Sequence, residues 1–418
     1  MVPAAFASVA VGRPVRGEFT YRVPDALVVK LQPGVRLKVP FGRGTALGFY
    51  LGPAAPPPAE VISKVRDIES VLDEAPAFTP DVVELVRFAA SHYRHPLGEA
   101  LRATLPPGLT KAIPEVPAEL EMVTYAVALP AATDAVLTRA PAQHATLSYL
   151  LAVGGRASTE EIAHAIPGAR AHLARLAERG FIRLDETEVI PGVREGLTHA
   201  RPAALTDEQR EVLATLEPAL EAGGYAPFLL HGVTGSGKTE VYLQLAERAL
   251  SSQRGALILV PEIALTPQVV GRFRSRFGQH VAVLHSALKD RERLDAWQRL
   301  RRGEVRLAVG VRSAVFAPVQ SLGLIVVDEE HDPSFKQDDK LRYQARDLAV
   351  MRASQVKCLV VLGSATPSLE TLENVRRNRY RLLSLTKRVD DRPMPTVELV
   401  DLRLARPRTP ETRGTEAP

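Results

Sequence analysis

The sequence predicts an α/β fold in which a parallel sheet follows a small β-rich domain and a winged-helix unit. The main observation is a series of continuous apolar strands that alternate with helical segments in the second half of the chain. These strands lie at residues 228–231, 256–260, 281–284, 307–310, 324–327 and 359–362. Strands that are apolar throughout are typical of parallel sheets covered by helices on both faces. Ligands are therefore expected at the carboxyl ends of these strands.

The first part of the chain has a different pattern. Short segments bounded by Gly and Pro predict strands at residues 7–11, 18–23, 36–41 and 46–51. Residues 81–94 place their apolar side chains on one helical face, which predicts a helix packed on these strands. Residues 145–185 indicate three helices followed by a strand, the order found in a winged helix. A three-helix unit that only separates two domains explains the same pattern.

These patterns divide the chain into four parts, because 418 residues are too many for one compact core. A β-rich domain is predicted at 1–110, a linker with the winged-helix domain at 111–200, and the domain with the parallel sheet at 201–385. Residues 386–418 form a linker and a polar tail without periodicity, which we expect to be disordered.

Composition sets limits on the class of protein. Hydrophobic residues make up 45% and charged residues 24% of the chain, and no run approaches the ~20 apolar residues of a membrane span. The N-terminus lacks the charged and apolar regions of a secretory signal, so a cytoplasmic location without membrane contact is expected. The single cysteine, Cys358, excludes disulfides and Cys-based zinc sites within this chain. A net charge of +5 is compatible with nucleic acid but does not by itself indicate it.

A glycine-rich segment carries the strongest chemical signal. It follows the strand at 228–231 and opens a helix, which is the setting that a phosphate-binding P-loop requires. Its backbone N–H groups can wrap the phosphates of ATP, Lys238 adds a positive charge, and the Thr239 hydroxyl can bind Mg²⁺. The alternative is a chance glycine-rich turn. The candidate nucleotide-binding residues are Gly232, Val233, Thr234, Gly235, Ser236, Gly237, Lys238 and Thr239.

Two carboxylates follow a buried strand downstream of the P-loop. Asp328 and Glu329 end the strand at 324–327, and a parallel sheet would place them beside the P-loop. Asp328 is the candidate Mg²⁺ ligand, acting through water, and Glu329 is the candidate group that polarises the attacking water. With Lys238 they form the predicted catalytic set. A solvated acidic loop is the alternative interpretation.

Two weaker signals complete the nucleotide lobe. Residues 363–367 place small hydroxyl side chains after the strand at 359–362, where they could relay hydrogen bonds between nucleotide and nucleic acid. Gln209 precedes the P-loop at a suitable distance to contact adenine. A helix N-cap at Thr206 explains that segment equally well. Taken together and in this order, the motifs predict the first lobe of a superfamily 2 helicase with a RecA-like sheet.

The motifs resemble one family closely, the PriA replication restart helicases, also called primosomal protein N′. The segments that carry the resemblance are GVTGSGKTEVY at 232–242, LVPEIALTPQ at 259–268, GVRSAVFAP at 310–318, VDEEHDPSFKQ at 327–337, RYQARD at 342–347 and LGSATPSLETL at 362–372. The likeness extends upstream to residues 39–42 and 93–98, so it covers almost the whole chain.

The resemblance implies two DNA-binding regions. In the β-rich domain, Phe19, Gly42 and Lys64 would line a pocket for a 3′ DNA end; core and turn positions are the alternative for Phe19 and Gly42. In the nucleotide lobe, an aromatic-rich loop would couple DNA binding to ATP hydrolysis. Alternation of aromatic and basic groups suits single-stranded DNA, although Tyr343 could merely pack. The loop residues are Phe335, Lys336, Tyr343 and Arg346.

The resemblance covers only the front part of the family, whose members continue into an eight-cysteine zinc module and a second motor lobe. That lobe supplies an arginine worth about 10³ to 10⁵ in rate, so unwinding by this chain alone is doubtful. Two functions remain open. One is an ATP-dependent 3′-to-5′ helicase that restarts replication; the other is a scaffold that binds stalled forks and D-loops without catalysis. In both, the implied partners are single-stranded DNA, the single-stranded DNA-binding protein and primosome or helicase-loading proteins, and the implied cytoplasmic location of this protein is with the nucleoid.

Overall fold

The computed structural model describes residues 6–115, 122–130, 140–188 and 204–389. Within these ranges it contains three structural units, each with its own sheet. The structure confirms the predicted fold class, with a β-rich unit, a unit of three helices with a small sheet, and a lobe with a parallel sheet. The predicted tail lies almost entirely outside the described residues, as do parts of the predicted linker.

The N-terminal unit is a five-stranded antiparallel sheet in the order β2-β1-β4-β3-β5. The segment before β5 hydrogen-bonds to β2, with Arg22 N donating to Arg66 O at 2.9 Å, so the sheet curls until its two edges meet. The elements are β1 (Phe6–Val11), β2 (Phe19–Arg22), β3 (Arg36–Phe41), β4 (Gly44–Pro53), α1 (Ala59–Ile62), β5 (Ser70–Val71), α2 (Pro80–His92) and α3 (Leu97–Thr104).

The middle unit packs three helices on a three-stranded antiparallel sheet in the order β7-β6-β8. Ser158 caps the second helix, because its hydroxyl accepts from Glu161 N at 3.1 Å while the Glu161 carboxylate accepts from Ser158 N. Strand β6 lies in a segment that has no clear hydrophobic periodicity. The elements are β6 (Met122–Ala128), α4 (Pro141–Ala152), β7 (Arg156–Ser158), α5 (Thr159–Ala165), α6 (Ala169–Glu178) and β8 (Ile182–Glu188).

The third unit is a seven-stranded, fully parallel sheet in the order β11-β12-β10-β13-β16-β9-β17, with a small antiparallel hairpin, β14 and β15, beside it. Its strands are β9 (Ala226–Gly232), β10 (Gly255–Leu259), β11 (Val281–Leu284), β12 (Leu307–Gly310), β13 (Leu322–Val327), β14 (Lys336–Gln337), β15 (Tyr343–Gln344), β16 (Leu359–Ser364) and β17 (Arg381–Leu385). Its helices are α7 (Asp207–Ala222), α8 (Lys238–Ser251), α9 (Pro267–Phe277), α10 (Asp290–Arg302), α11 (Ala345–Val356) and α12 (Leu369–Arg376).

The edge strand β17 was not predicted. It lies beside β9, and four of its five residues are at least partly exposed, so it lacks the continuous apolar run that marks the buried strands. Its carboxyl end nevertheless reaches the same edge of the sheet as the P-loop.

The N-terminal unit packs directly on the parallel-sheet lobe. One apolar cluster joins helices α2 and α3 to α10 and α11. The Trp297 indole N–H donates to Ala77 O at 3.0 Å, and the buried Arg352 pairs with Asp81 at 2.7 Å. None of the helices in the described ranges is long and apolar enough to cross a membrane.

Candidate functional site

The P-loop connects β9 to α8 at the carboxyl edge of the parallel sheet. Gly235 and Gly237 both have φ of +83°, a conformation that glycine adopts without strain. Lys238 begins α8 and is buried; its Nζ donates to Gly232 O at 2.8 Å and lies 3.4 Å from a Glu329 carboxylate oxygen. The loop borders a cavity of about 650 Å³ that is also lined by Asp328 and Glu329. The structure therefore brings the three candidate catalytic side chains to one cavity.

Asp328 and Glu329 follow β13, which is separated from β9 by β16 alone. Burial, reinforced by the neighbouring Glu329 charge, raises the pKa of Asp328 to about 6. The buried Tyr242 hydroxyl donates to Asp328 Oδ1 at 3.0 Å and so orients the carboxylate. Glu329 has a φ of +44°, which is uncommon outside glycine and occurs where surrounding contacts enforce it. Sequence reasoning missed Tyr242, although it lies one turn after Lys238 in the same motif.

The segment after β16 is joined by hydrogen bonds to residues 328–331, which we call the acidic segment. His331 Nδ1 lies 2.7 Å from Ser364 Oγ, and His331 Nε2 lies 3.3 Å from Thr366 Oγ1. The backbone N–H of Ala365 donates to a Glu329 oxygen at 3.5 Å. Hydrogen bonds therefore connect Glu329, the candidate catalytic carboxylate, to the loop that follows β16.

Glu330 is fully buried and was not singled out from the sequence. Its carboxylate accepts from Ser368 N at 2.7 Å and from the Thr371 hydroxyl at 3.0 Å, and it pairs with Arg346 at 3.2 Å. Because its neighbours on either side, Glu329 and His331, belong to the site, Glu330 anchors the acidic segment to α11 and α12. This role is recognised from the burial of Glu330, which only the tertiary structure shows.

Gln209 belongs to the helix cap at Thr206 and also contacts the P-loop. Thr206 caps α7, since its hydroxyl accepts from Gln209 N at 3.2 Å, and the Gln209 side-chain oxygen accepts from Thr206 N at 2.9 Å. The Gln209 Nε2 donates to Ser236 O at 3.3 Å and to Gly237 O at 3.4 Å. Gln209 therefore lines the cavity, but both ends of its amide already have partners.

The structure buries three of the four loop residues that are predicted to contact DNA. Phe335 and Tyr343 are buried in the main apolar cluster, where the Tyr343 ring meets Phe316 edge to face. Arg346 has a side chain only 11% exposed and pairs with Glu330. Buried rings cannot stack on bases, so in this arrangement these residues support the loop from inside. Lys336 alone among the four is exposed, where it pairs with Asp338 at 3.1 Å.

A groove beside this loop is lined by polar and charged side chains. It encloses about 340 Å³ between α3, the carboxyl ends of β11 and β12, and the β14–β15 hairpin. Its basic residues are His285, Arg293, Arg312 and Lys340, its acidic residues are Glu262 and Asp339, and its other polar residues include Thr104, Ser286, Ser313 and Gln337.

The three candidate pocket residues of the N-terminal unit lie in one region. The half-buried Phe19 ring meets Phe41 edge to face at 5.3 Å, and Phe41 precedes the turn at Gly42. Gly42 has a φ of +60°, and its carbonyl accepts from Arg66 Nη1 at 3.0 Å. Lys64 is exposed two residues before Arg66. Closure of the sheet brings these segments together, and sequence reasoning missed Arg66 because that closure is not visible in the chain.

A P-loop facing two strand-end carboxylates on a parallel sheet defines the nucleotide-binding lobe of a helicase-type P-loop protein. Residues 206–375 match the DEAD/DEAH box helicase family. Residues 8–106 match the family of the PriA 3′DNA-binding domain.

Sequence comparison identifies the particular family. The replication restart protein PriA of Bacillus subtilis (strain 168) is 35% identical over 450 residues, covering 92% of this chain and 56% of that protein. PriA of Haemophilus influenzae is 37% identical over 405 residues, covering 94% and 54%, and PriA of Synechocystis is 32% identical over 472 residues, covering 93% and 55%. The chain belongs to the PriA family and spans about half the length of these relatives.

Replacing the cavity carboxylate Asp328 with Asn should stabilise the protein when nucleotide and Mg²⁺ are absent. The folded-state pKa of about 6 lies above the ordinary value of 3.8. The folded state therefore binds more protons between these values, and its stability falls as pH rises from about 4 to 6. Asp328→Asn should raise the free energy of unfolding by about 1–2 kcal/mol at pH 7. Urea denaturation in EDTA measures the change, and an equal gain at pH 4 and pH 7 would contradict this explanation.

Replacing Arg346 tests whether it supports the structure or contacts DNA. Arg346→Ala removes the cation beside the fully buried Glu330 and should lower the free energy of unfolding by about 2–4 kcal/mol. Lys336→Ala is the control, because this exposed residue should change stability by less than about 0.5 kcal/mol. Urea denaturation compares the two. Unchanged stability of Arg346→Ala together with weakened DNA binding would restore the direct-contact role.

Proposed function

We propose that this chain is a PriA-like replication restart protein that recognises stalled forks and D-loops and binds ATP with Mg²⁺ at the P-loop. Its motor activity would be that of an ATP-dependent 3′-to-5′ DNA helicase. The observation that supports this proposal best is the convergence of Lys238, Asp328 and Glu329 on one cavity of about 650 Å³.

The residues around the cavity fit Mg²⁺ and ATP. Thr239 at the start of α8 and Asp328 after β13 both line the cavity and offer the oxygen ligands that Mg²⁺ prefers. When bound, Mg²⁺ would neutralise phosphate charge, while the P-loop N–H groups and the amino end of α8 would bind the phosphate oxygens.

Lys238 and Glu329 have separate tasks in this proposal. The Lys238 ammonium donates to Gly232 O and lies 3.4 Å from Glu329, and a phosphate oxygen would replace Glu329 as its anionic partner. Glu329 is then free to accept a hydrogen bond from the attacking water and to take its proton. The hydrogen bond from Ala365 N to Glu329 would report this change to the loop after β16.

DNA would bind at two places. The region around Phe19, Gly42 and Lys64 would receive a 3′ end, with one aromatic ring for a base and exposed cations for phosphates. The groove with Arg293, Arg312 and Lys340 would receive single-stranded DNA. Direct packing of the N-terminal unit on the lobe would keep the two DNA sites at a fixed separation.

Protein partners follow from the family alone. They would be the single-stranded DNA-binding protein and the proteins that load the replicative helicase. The alternative function is a scaffold that binds forks for these partners and uses nucleotide only to change conformation. It differs from the helicase in one measurable respect, the turnover of ATP.

DNA-stimulated ATP hydrolysis separates the two functions. The helicase proposal expects phosphate release by the 418-residue chain to rise when a forked duplex with a leading-strand 3′ end is added. Lys238→Ala should lower this turnover at least about a hundredfold, because it removes the cation that faces the phosphates. The measurement is steady-state phosphate release with and without the fork.

Fork binding is measured on the same samples by fluorescence anisotropy. Tight binding without turnover above that of Lys238→Ala would exclude the motor activity of this chain and leave the scaffold. Absence of fork binding would exclude both functions.

The 3′-end pocket predicts a specific DNA preference. Lys64→Ala should weaken binding to a fork with a free 3′ end several-fold and reduce the slope of log affinity against log salt by about one, because one phosphate contact is lost. A fork whose leading-strand 3′ end is buried by a covalent hairpin is the control, and its affinity should not change. Equal weakening on both forks would mean that Lys64 contacts the duplex elsewhere.

A further inference from the structure

The segment that follows β17 borders the nucleotide cavity. Because β17 lies next to β9 in a parallel sheet, its carboxyl end emerges beside the P-loop, on the side away from β16. Residues 386–389, which we call the exit segment, continue from this end. Neither their sequence nor the helicase motifs indicate that they belong to the site.

The exit segment is attached at both ends. Glu208, in the first turn of α7, accepts from Thr386 N at 2.8 Å, from the Thr386 hydroxyl at 2.5 Å and from Lys387 N at 3.1 Å. Val389 N donates to the P-loop carbonyl Gly235 O at 3.0 Å. These contacts hold the segment across the opening between α7 and the P-loop.

Val389 places an apolar side chain against the cavity. It is 49% exposed and lines the cavity together with Gln209 and the P-loop. Its Cγ2 would lie 2.9 Å from a Cβ placed on Gly237, so the side chain packs closely over the loop. A half-exposed valine contributes little to the core, whereas an apolar surface beside a polar cavity suits a flat aromatic ligand.

ATP has two chemically different ends. Its phosphates require the N–H groups and cations of the P-loop, and its purine requires an apolar wall and few polar partners. Gln209, the residue expected to contact adenine, already uses both ends of its amide in the cap and on the loop. An apolar surface close to Gln209 would therefore supply the packing contact that the faces of the purine need.

We propose that Val389, on the exit segment, forms the wall of the purine subsite. This proposal rests on the proposed function, since it names a further part of the same ATP site. It also gives the exit segment a defined role, because a bound base would fix the path of the chain as it leaves the lobe.

Isothermal titration calorimetry on the 418-residue chain tests the wall with two ligands, ATP and inorganic tripolyphosphate, both with Mg²⁺. Val389→Ser should weaken ATP binding about fivefold, because it removes apolar contact with the base. Tripolyphosphate has no base, so its affinity should stay the same. The matched control is Leu382→Ser on β17, which changes a residue of similar exposure, 48%, outside the cavity.

The outcomes separate this proposal from the proposed function. The role of Val389 is wrong if Val389→Ser leaves the affinity for ATP unchanged, or if it weakens the binding of ATP and tripolyphosphate equally. In either case the nucleotide site itself stands if Lys238→Ala weakens the binding of both ligands. If Lys238→Ala changes neither affinity, or if the unaltered chain binds neither ligand, the nucleotide site itself fails and the purine subsite fails with it. Weakening by Leu382→Ser to the same degree as Val389→Ser would also overturn the wall.

Discussion

The parallel direction of all seven strands in the nucleotide lobe determines where every candidate group of its site lies. Strands β9, β13, β16 and β17 end at the same edge of the sheet. The P-loop, the acidic pair, the loop after β16 and the exit segment must therefore meet there. A single antiparallel strand in this set would move its loop to the opposite edge. The apolar side chains of the strands, buried by helices on both faces, stabilise this arrangement and so fix the spacing of the site.

Polar networks then set the detailed geometry. Tyr242 orients Asp328, Gln209 holds the P-loop to α7, and Glu330 holds the acidic segment to α11 and α12. Each of these groups is buried, so an unmatched partner would cost more than a lost surface contact. The site is therefore supported by buried polar residues, of which Gln209 alone among these three also lines the cavity, and the aromatic-rich loop, with Phe335 inside the core, belongs to this support.

Contacts between the units also fix the position of the N-terminal unit relative to the nucleotide site. Helices α2 and α3 share an apolar cluster with α10 and α11, and the Arg352–Asp81 pair and the Trp297 hydrogen bond cross the boundary. A 3′ end held near Phe19 and Lys64 would consequently sit at a fixed place relative to the nucleotide site. This rigidity is useful to either proposed function, because a scaffold and a motor both need to read a fork's geometry.

The sequence by itself determined six strands of the parallel sheet, the P-loop, the acidic pair and the family, because each leaves a local pattern of apolar runs, glycines or charges. It did not reveal β17, the closure of the N-terminal sheet, or the burial of Phe335, Tyr343 and Arg346. An edge strand has no continuous apolar run, and alternating aromatic and basic residues look alike whether they face solvent or the core. Glu208 and Val389 are 181 residues apart in the chain. Only the pairing of β17 with β9 brings the segment that Glu208 holds, and with it Val389, to the cavity, and that pairing depends on contacts that no local pattern encodes.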